Sequence, residues 1–319
     1  MVTKDTPPIT PTPLSSLVHE LLHEVHKIRH DLERCESLSP GDDVNELLTR
    51  LVGLCIKPYS SEFTNHFLNI EGVDALCASL QAICAEAEGE LEKYWTSRIL
   101  EACDSQECNA SDSPTRDLLH RFPYYTNYVD LSRLEATLLS AFLPMPPTAA
   151  INIAFIGSGP LPLSSICLLD NLPNAKITNI DRDALALNLS RRLAEALSIS
   201  GDKMRFVRDD VEGTSVTTGA SESGFEGITW GSLDVVFLAA LVGMESSAKF
   251  DILASLARRL KAGTLIVARS ARGLRSILYP VLELGDDMSK RGLEVLAELH
   301  PHTDVVNSVV VLRVCGCST

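Results

Sequence analysis

Three groups of residues in this chain have the types and spacing to do chemistry. The first is the loop GSGPLPL, Gly157 to Leu163, which follows the apolar run INIAFI. A Gly-x-Gly turn after a strand lets a ligand approach the backbone, and the helix that follows normally offers free N–H groups to a phosphate. Here Pro162 holds the place of the third glycine, and Pro160 and Pro162 each remove a donor. The loop suits a ligand that needs close backbone approach but carries no pyrophosphate. The second group is acidic. Asp181 ends the next apolar run, 24 residues after Gly157, where a carboxylate accepting ribose hydroxyls is expected. Asp183 fits a helix N-cap as well as a ligand role, and either Asp209 or Asp210 is placed to bond an adenine amino group. The third group joins the glutamates of ICAEAEGELEKYW (Glu86, Glu88, Glu90, Glu92) to FPYYTNYVDLSRLE, with Tyr124, Tyr125, Asn127 and Tyr128. A carboxylate can act as a general base, and clustered hydroxyls and an amide can orient an amino-acid substrate. Arg269, at the end of GTLIVARS, is a candidate bidentate partner for a substrate carboxylate.

These residues need elements to hold them. AINIAFIG, AKITNID, KMRFVRDD, LDVVFLAAL and GTLIVARS read as buried strands separated by helical stretches, which implies a parallel sheet with crossover helices. LEVLAELHPHTDVVNSVVVLRV reads instead as a hairpin. An α/β, Rossmann-like, mostly parallel sheet closed by an antiparallel hairpin is the S-adenosylmethionine (SAM)-dependent transferase form of the fold. SAM, which has no phosphate, fits the proline-bearing loop. Gly157, Ser158, Gly159, Asp181 and Asp210 are then the expected donor-binding residues, with Leu238 opening a small apolar stretch to Gly243 that lines the site beneath the sulfonium. The sulfonium activates three carbons, and the fold does not choose among them.

The chain before the sheet reads as helical. In SSLVHELLHEVHKIRHDLERCESL, Leu17, Leu21, Val25, Ile28 and Leu32 form an apolar stripe with Ser15 or Ser16 as N-cap. Further helices are expected at Asp42–Leu54, at Val73–Ala87 continuing to Ala102, and at Leu131–Phe142. The expected division is a disordered Pro/Thr-rich tail over 1–13, an all-α N-terminal domain over 14–147 covering the active site, and a SAM-binding domain over 148–319. Within the N-terminal domain 103–117 is a polar loop, PMPPT is a stiff linker to the second domain, and EGTSVTTGASESGFEGITWGS is a surface loop between the third and fourth strands.

Composition narrows the partners. Over 319 residues, 42 acidic against 28 basic side chains give a net charge of −14, which disfavours nucleic acid and anionic membrane and favours a small molecule. The nine cysteines lack a C-x-x-C pair and read as reduced thiols. No stretch approaches the roughly 18 apolar residues of a membrane span, and the start has no signal-like run. A cytoplasmic protein without a membrane partner is expected. No metal site is expected: His19, His23, His26 and His30 read as the solvated flank of a helix, and the closing CGCST as spectator thiols.

The segments AEAEGELE, FPYYTNYVDLSRLE, AFIGSGPLPLSSI, NIDRDALALNLS, VVFLAALVGM, ARSARGLRSILYP and HPHTDVVNSVVV, in that order from Ile83 to Leu312, resemble nicotianamine synthase. The resemblance implies transfer of the 3-amino-3-carboxypropyl group rather than a methyl. Three SAM molecules are joined, an azetidine ring closes, and three 5′-methylthioadenosines leave. The product, nicotianamine, chelates iron, zinc, copper and nickel, while SAM is the substrate and no further cofactor or enzyme-bound metal is needed. It also implies a catalytic pair, a glutamate of AEAE and a tyrosine of FPYY: Glu88 and Tyr125, with Glu86 and Tyr124 as substitutes. Tyr128, Asn127 and Arg269 are the expected substrate-binding side chains. A homodimer is compatible with this reading. The chain departs from the plant form at Arg272, where plants have histidine, at His302–Thr303, at NIDRD, and in the loop around Gly213 to Gly231. A relative using another amino-acid acceptor to make a different metallophore is the alternative, and a non-catalytic SAM or metallophore sensor the alternative outside enzymes.

Overall fold

The computed structural model describes residues 13–104, 114–143, 149–211, 227–244, 246–285 and 287–316. The Pro/Thr-rich tail up to residue 12, most of the polar loop, the PMPPT linker, most of the Ser/Gly/Thr-rich insertion and the end of CGCST lie outside the described residues.

The helices before the sheet are α1 (Pro13–Glu33), α2 (Asp42–Cys55), α3 (Ser61–Leu68), α4 (Val73–Asp104), α5 (Pro114–His120) and α6 (Tyr125–Phe142). The stripe of α1 buries Val18, Leu21, Val25, Ile28 and Leu32, while Leu17 is 55% exposed. The expected stripe was therefore one residue out of phase at its start, because Val18 is the residue a helical turn before Leu21 and Leu22. Helix α3, unexpected from periodicity, is short and is fixed by Ser60, whose hydroxyl accepts from the Phe63 N–H. Helix α6 starts six residues before the expected Leu131, which puts the tyrosine cluster in its first turn.

The sheet strands are β1 (Ile151–Ile156), β2 (Ala175–Asp181), β3 (Met204–Arg208), β4 (Val235–Leu238), β5 (Leu265–Ser270), β6 (Leu293–Leu299) and β7 (Ser308–Val314). Between them run α7 (Leu163–Asn171), α8 (Ala184–Ala196), α9 (Ser246–Arg259) and the short α10 (Asp287–Lys290). The order is β3-β2-β1-β4-β5-β7-β6, parallel through β5 and antiparallel at β7 and β6. Strand β7 takes the interior place because SVVVLRV is apolar on both faces, whereas β6, LEVLAEL, presents glutamates and a half-exposed edge. The order reverses between β1 and β4, and the crevice at the carboxyl ends of these strands is the usual ligand position in an open α/β sheet.

Two packings frame that crevice. Leu131 and Leu139 of α6 pack with Phe155, Val267 and Val309 of the sheet. Helices α1 to α4 bury their apolar faces against Leu274, Ile277 and Leu278, from the 3-10 turn after β5, and against Val306 ahead of β7. The helical layer is thus seated over the ends of β5 and β7, and it closes the crevice from above.

Candidate active site

The glycine loop spends its own donors inside the protein. Gly157 N and Ser158 N donate to Ile180 O at 2.8 and 3.3 Å, and Leu163 N donates to Leu161 O at 2.7 Å. Gly159 N donates to Asp181 Oδ2 at 2.8 Å, and Leu161 N donates to the Glu92 carboxylate. The prolines have no N–H to give. A pyrophosphate would find no free backbone donor between 157 and 163, in keeping with the phosphate-free ligand expected from the sequence. Gly157 and Gly159 have φ of +78° and +63°, the left-handed region that favours glycine. A Cβ on Gly159 would also stand 2.5 Å from Glu92 Oε2, so glycine here lets a carboxylate of α4 touch the loop.

That carboxylate belongs to a half-buried network facing the cavity. Tyr128 Oη lies 3.1 Å from Glu88 Oε1 and 3.3 Å from Glu92 Oε1, and the Tyr279 hydroxyl donates to Glu88 Oε2 at 3.1 Å. Burial pushes the Glu88 carboxyl above its ordinary range, against the pull of the two hydroxyls and of Arg269. Burial raises Glu92 further, with help from the Glu88 and Asp181 charges. Both tyrosines are pushed well above 10 by burial and by the neighbouring Glu88, so their hydroxyls stay protonated.

These groups line a cavity of about 680 Å³ between the glycine loop, β4, α4, α6 and α2. Its walls carry eight carboxylates against three basic side chains, Lys93, Arg182 and Arg269, so it favours a cation such as a sulfonium bearing an ammonium. Arg269 is itself offset: Nε and Nη2 donate to the two Glu135 oxygens at 2.8 and 3.1 Å in a buried ion pair from β5 to α6, and the guanidinium stacks over Phe155.

Residues 14–318 match the nicotianamine synthase protein family. Nicotianamine synthase 9 of Hordeum vulgare is 40% identical over 280 residues, 87% of this chain and 74% of its own length. Nicotianamine synthase 2 of Arabidopsis thaliana is 36% identical over 93% of this chain and 85% of its own length. The chain belongs to the nicotianamine synthase family. Its fold is that of crystal structures of MtNAS, one of a variant in complex with S-adenosylmethionine (TM-score 0.69, 22% identity, 93% of this chain and 98% of that one). Another is of MtNAS in complex with MTA and tNA.

The family motifs are not all placed where the sequence suggested. Of the glutamates, Glu88 is enclosed, whereas Glu86 is exposed at the cavity rim and Glu90 is tied to Lys93 and Ser39. Tyr124 and Tyr128 line the cavity, but Tyr125 does not. Tyr125 opens α6 on the other side, its ring 4.6 Å from that of His120, and it faces Cys167, Asp170 and Arg116. Tyr125 and Tyr128 are one turn apart on the same side of α6, and it is packing on His120 of α5 that draws the Tyr125 ring away from the cavity. Asn127 lines the cavity and donates to Asp304 O at 2.8 Å, pinning the β6–β7 connection to α6. Asp181 and Asp210 line the cavity, Asp181 with both oxygens accepting backbone N–H groups of Gly159 and Asp183. Leu238 lies in the sheet core at 1% exposure, and the lining begins one residue later at Ala239, because β4 points Leu238 away. The edge of Arg269 expected to meet a substrate carboxylate is taken by Glu135.

Sequence reasoning passed over four groups in this family site. Glu92 was one of four glutamates, and its signal was the i, i+4 spacing from Glu88, which puts both on one face of α4. Tyr279 and Glu135 sit in quoted motifs but gain meaning only from their partners. Lys249 of α9 is the fourth: its fully buried ammonium donates to Ala240 O at 2.8 Å and Arg269 O at 3.3 Å, clamping the exits of β4 and β5. Ser158 Oγ and Asn307 Nδ2, buried in residues of the cavity wall, have no hydrogen-bond partner among the described residues.

Proposed function

We propose that this chain makes nicotianamine from SAM alone. The donor SAM lies on the Gly157–Gly159 loop, its ribose toward Asp181 and its adenine toward Asp210. The acceptor amino group approaches Glu88. An α-amino group is mostly protonated at neutral pH, and a buried carboxylate with a raised pKa is a base matched to removing that proton. The nitrogen lone pair then attacks the carbon of the 3-amino-3-carboxypropyl group next to sulfur. The C–S bond breaks and neutral 5′-methylthioadenosine leaves with the electron pair. Tyr128 and Tyr279 hold the Glu88 carboxylate in place from both oxygens. We take the reaction to need no cofactor beyond its substrate and to run in the cytosol.

The observation that carries this reading is the enclosed Glu88 carboxylate, held by two tyrosine hydroxyls in an acidic cavity beside a glycine loop with no backbone donor left for phosphate. The test is incubation of the purified protein with SAM alone, followed by mass spectrometry. Nicotianamine and 5′-methylthioadenosine in a ratio of one to three are expected. S-adenosylhomocysteine would overturn the reading in favour of a methyltransferase. Product that forms only after an amino acid is added would move it to a relative with another acceptor.

A further inference from the structure

We infer that Glu92 is a proton relay, through which Glu88 discharges the proton taken from each attacking amine by way of the Tyr128 hydroxyl. The inference rests on the proposed reaction. Each transfer forms one C–N bond, breaks one C–S bond, releases a neutral thioether and frees one proton from nitrogen. Joining three SAM molecules and closing the ring therefore frees three protons. A single carboxylate holds one, so Glu88 must be emptied between transfers.

The geometry gives Glu88 two neighbours for this. Tyr279 bonds Glu88 Oε2 and has no further side-chain partner among the described residues, so that leg ends there. Tyr128 bonds Glu88 at 3.1 Å and stands 3.3 Å from Glu92. One hydroxyl has one hydrogen. When Tyr128 donates to ionised Glu88, the Glu92 contact holds only if a Glu92 carboxyl proton is donated to the Tyr128 oxygen. The resting chain thus runs from a neutral Glu92 through Tyr128 to a charged Glu88, and the rise of the Glu92 pKa agrees with that order. After Glu88 takes a proton from the amine, Glu92 releases its own. The Glu88 proton then passes to the Tyr128 oxygen while the Tyr128 hydrogen passes to Glu92. One proton leaves per transfer and Glu88 is again a base.

Glu92 is placed for the release. It faces the charges of Glu88 and Asp181, and Asp181 is half-exposed at the cavity wall. The Leu161 N–H supports the transient Glu92 carboxylate, and Glu92 Oε2 lies where a side chain at Gly159 would collide with it. Glu88 in turn faces Arg269, Tyr279 and the Cys84 thiol, and the thiol is pushed up to about 12 by burial and stays protonated.

The test is rapid-quench counting of 5′-methylthioadenosine per active site in Glu92→Gln, with SAM binding measured separately. The first equivalent is expected at close to the wild-type rate. Later equivalents should slow by about a hundredfold or more, within the range of a lost acid–base step, and the single-condensation intermediate should accumulate. Glu92→Asp should restore part of the later rate. An unchanged steady-state rate in Glu92→Gln would overturn the relay, as would equal slowing of first and later transfers at full SAM occupancy. Should Glu92→Gln fail to bind SAM, Tyr128→Phe reads the same leg: later equivalents slowed more than the first support the relay, and equal slowing overturns it. Absence of any 5′-methylthioadenosine from the wild-type protein would instead sink the reaction on which the relay rests.

Discussion

The two faces of α4 carry the same residue type in different surroundings. Glu88 and Glu92 point inward to Tyr128, Tyr279 and the glycine loop, and burial raises both. Glu86 is exposed, and Glu90 pairs with Lys93 at 3.0 Å, a bond that lowers the Glu90 pKa. The helix itself treats all four alike. What separates a base from a solvated charge is a rotation of 200° about the axis for every two residues, followed by enclosure. Enclosure, without the rotation, likewise separates Tyr128 from Tyr125 on α6 and Lys249 from Lys93.

The largest effect expected from this contrast is on turnover. Glu88→Gln should lower kcat by about 10²- to 10³-fold with SAM binding kept, whereas Glu86→Gln should stay within about twofold. Steady-state kinetics on both variants checks this, and equal losses would break the comparison. The next effect is on stability. Burial holds the Lys249 ammonium down to about 8 from 10.5. Between those values the folded protein binds fewer protons than the unfolded chain, so stability rises with pH through the window. The burial penalty is fully present below pH 8 and is relieved by 10.5. It amounts to about 3 kcal/mol, from the size of the change in pKa. Relative to Lys249→Met, the wild type should therefore gain about that much between pH 8 and 10.5 in chemical denaturation, and a flat difference would place the lysine outside the core. The smallest effect is expected from Tyr125→Phe, which should keep kcat and KM within about twofold because its ring faces His120. A loss of tenfold or more in the same kinetic assay would return Tyr125 to the reaction.

The sheet was the more legible half. Its strands are contiguous apolar runs, which give themselves away locally, and Gly157, Gly159 and Asp181 sit at their ends, where the fold fixes position by backbone alone. The tyrosines were harder. FPYYTNYVDLSRLE marks a site by its composition, but which hydroxyl faces in depends on what packs against the first turn of α6, where His120 draws Tyr125 aside. Leu238 shows the same limit by a single residue, since in a strand one step reverses the face.

The sequence by itself determined the strand grammar, the phosphate-poor loop and the family, because these rest on residue types and on short, local spacing. Only the tertiary structure decided that β7 and not β6 lies beside β5, that Glu135 takes the binding edge of Arg269, and that Glu92 meets Glu88 through Tyr128. Those pairings join residues far apart in the chain, and a buried charge acquires its partner and its pKa only when packing has removed water from around it.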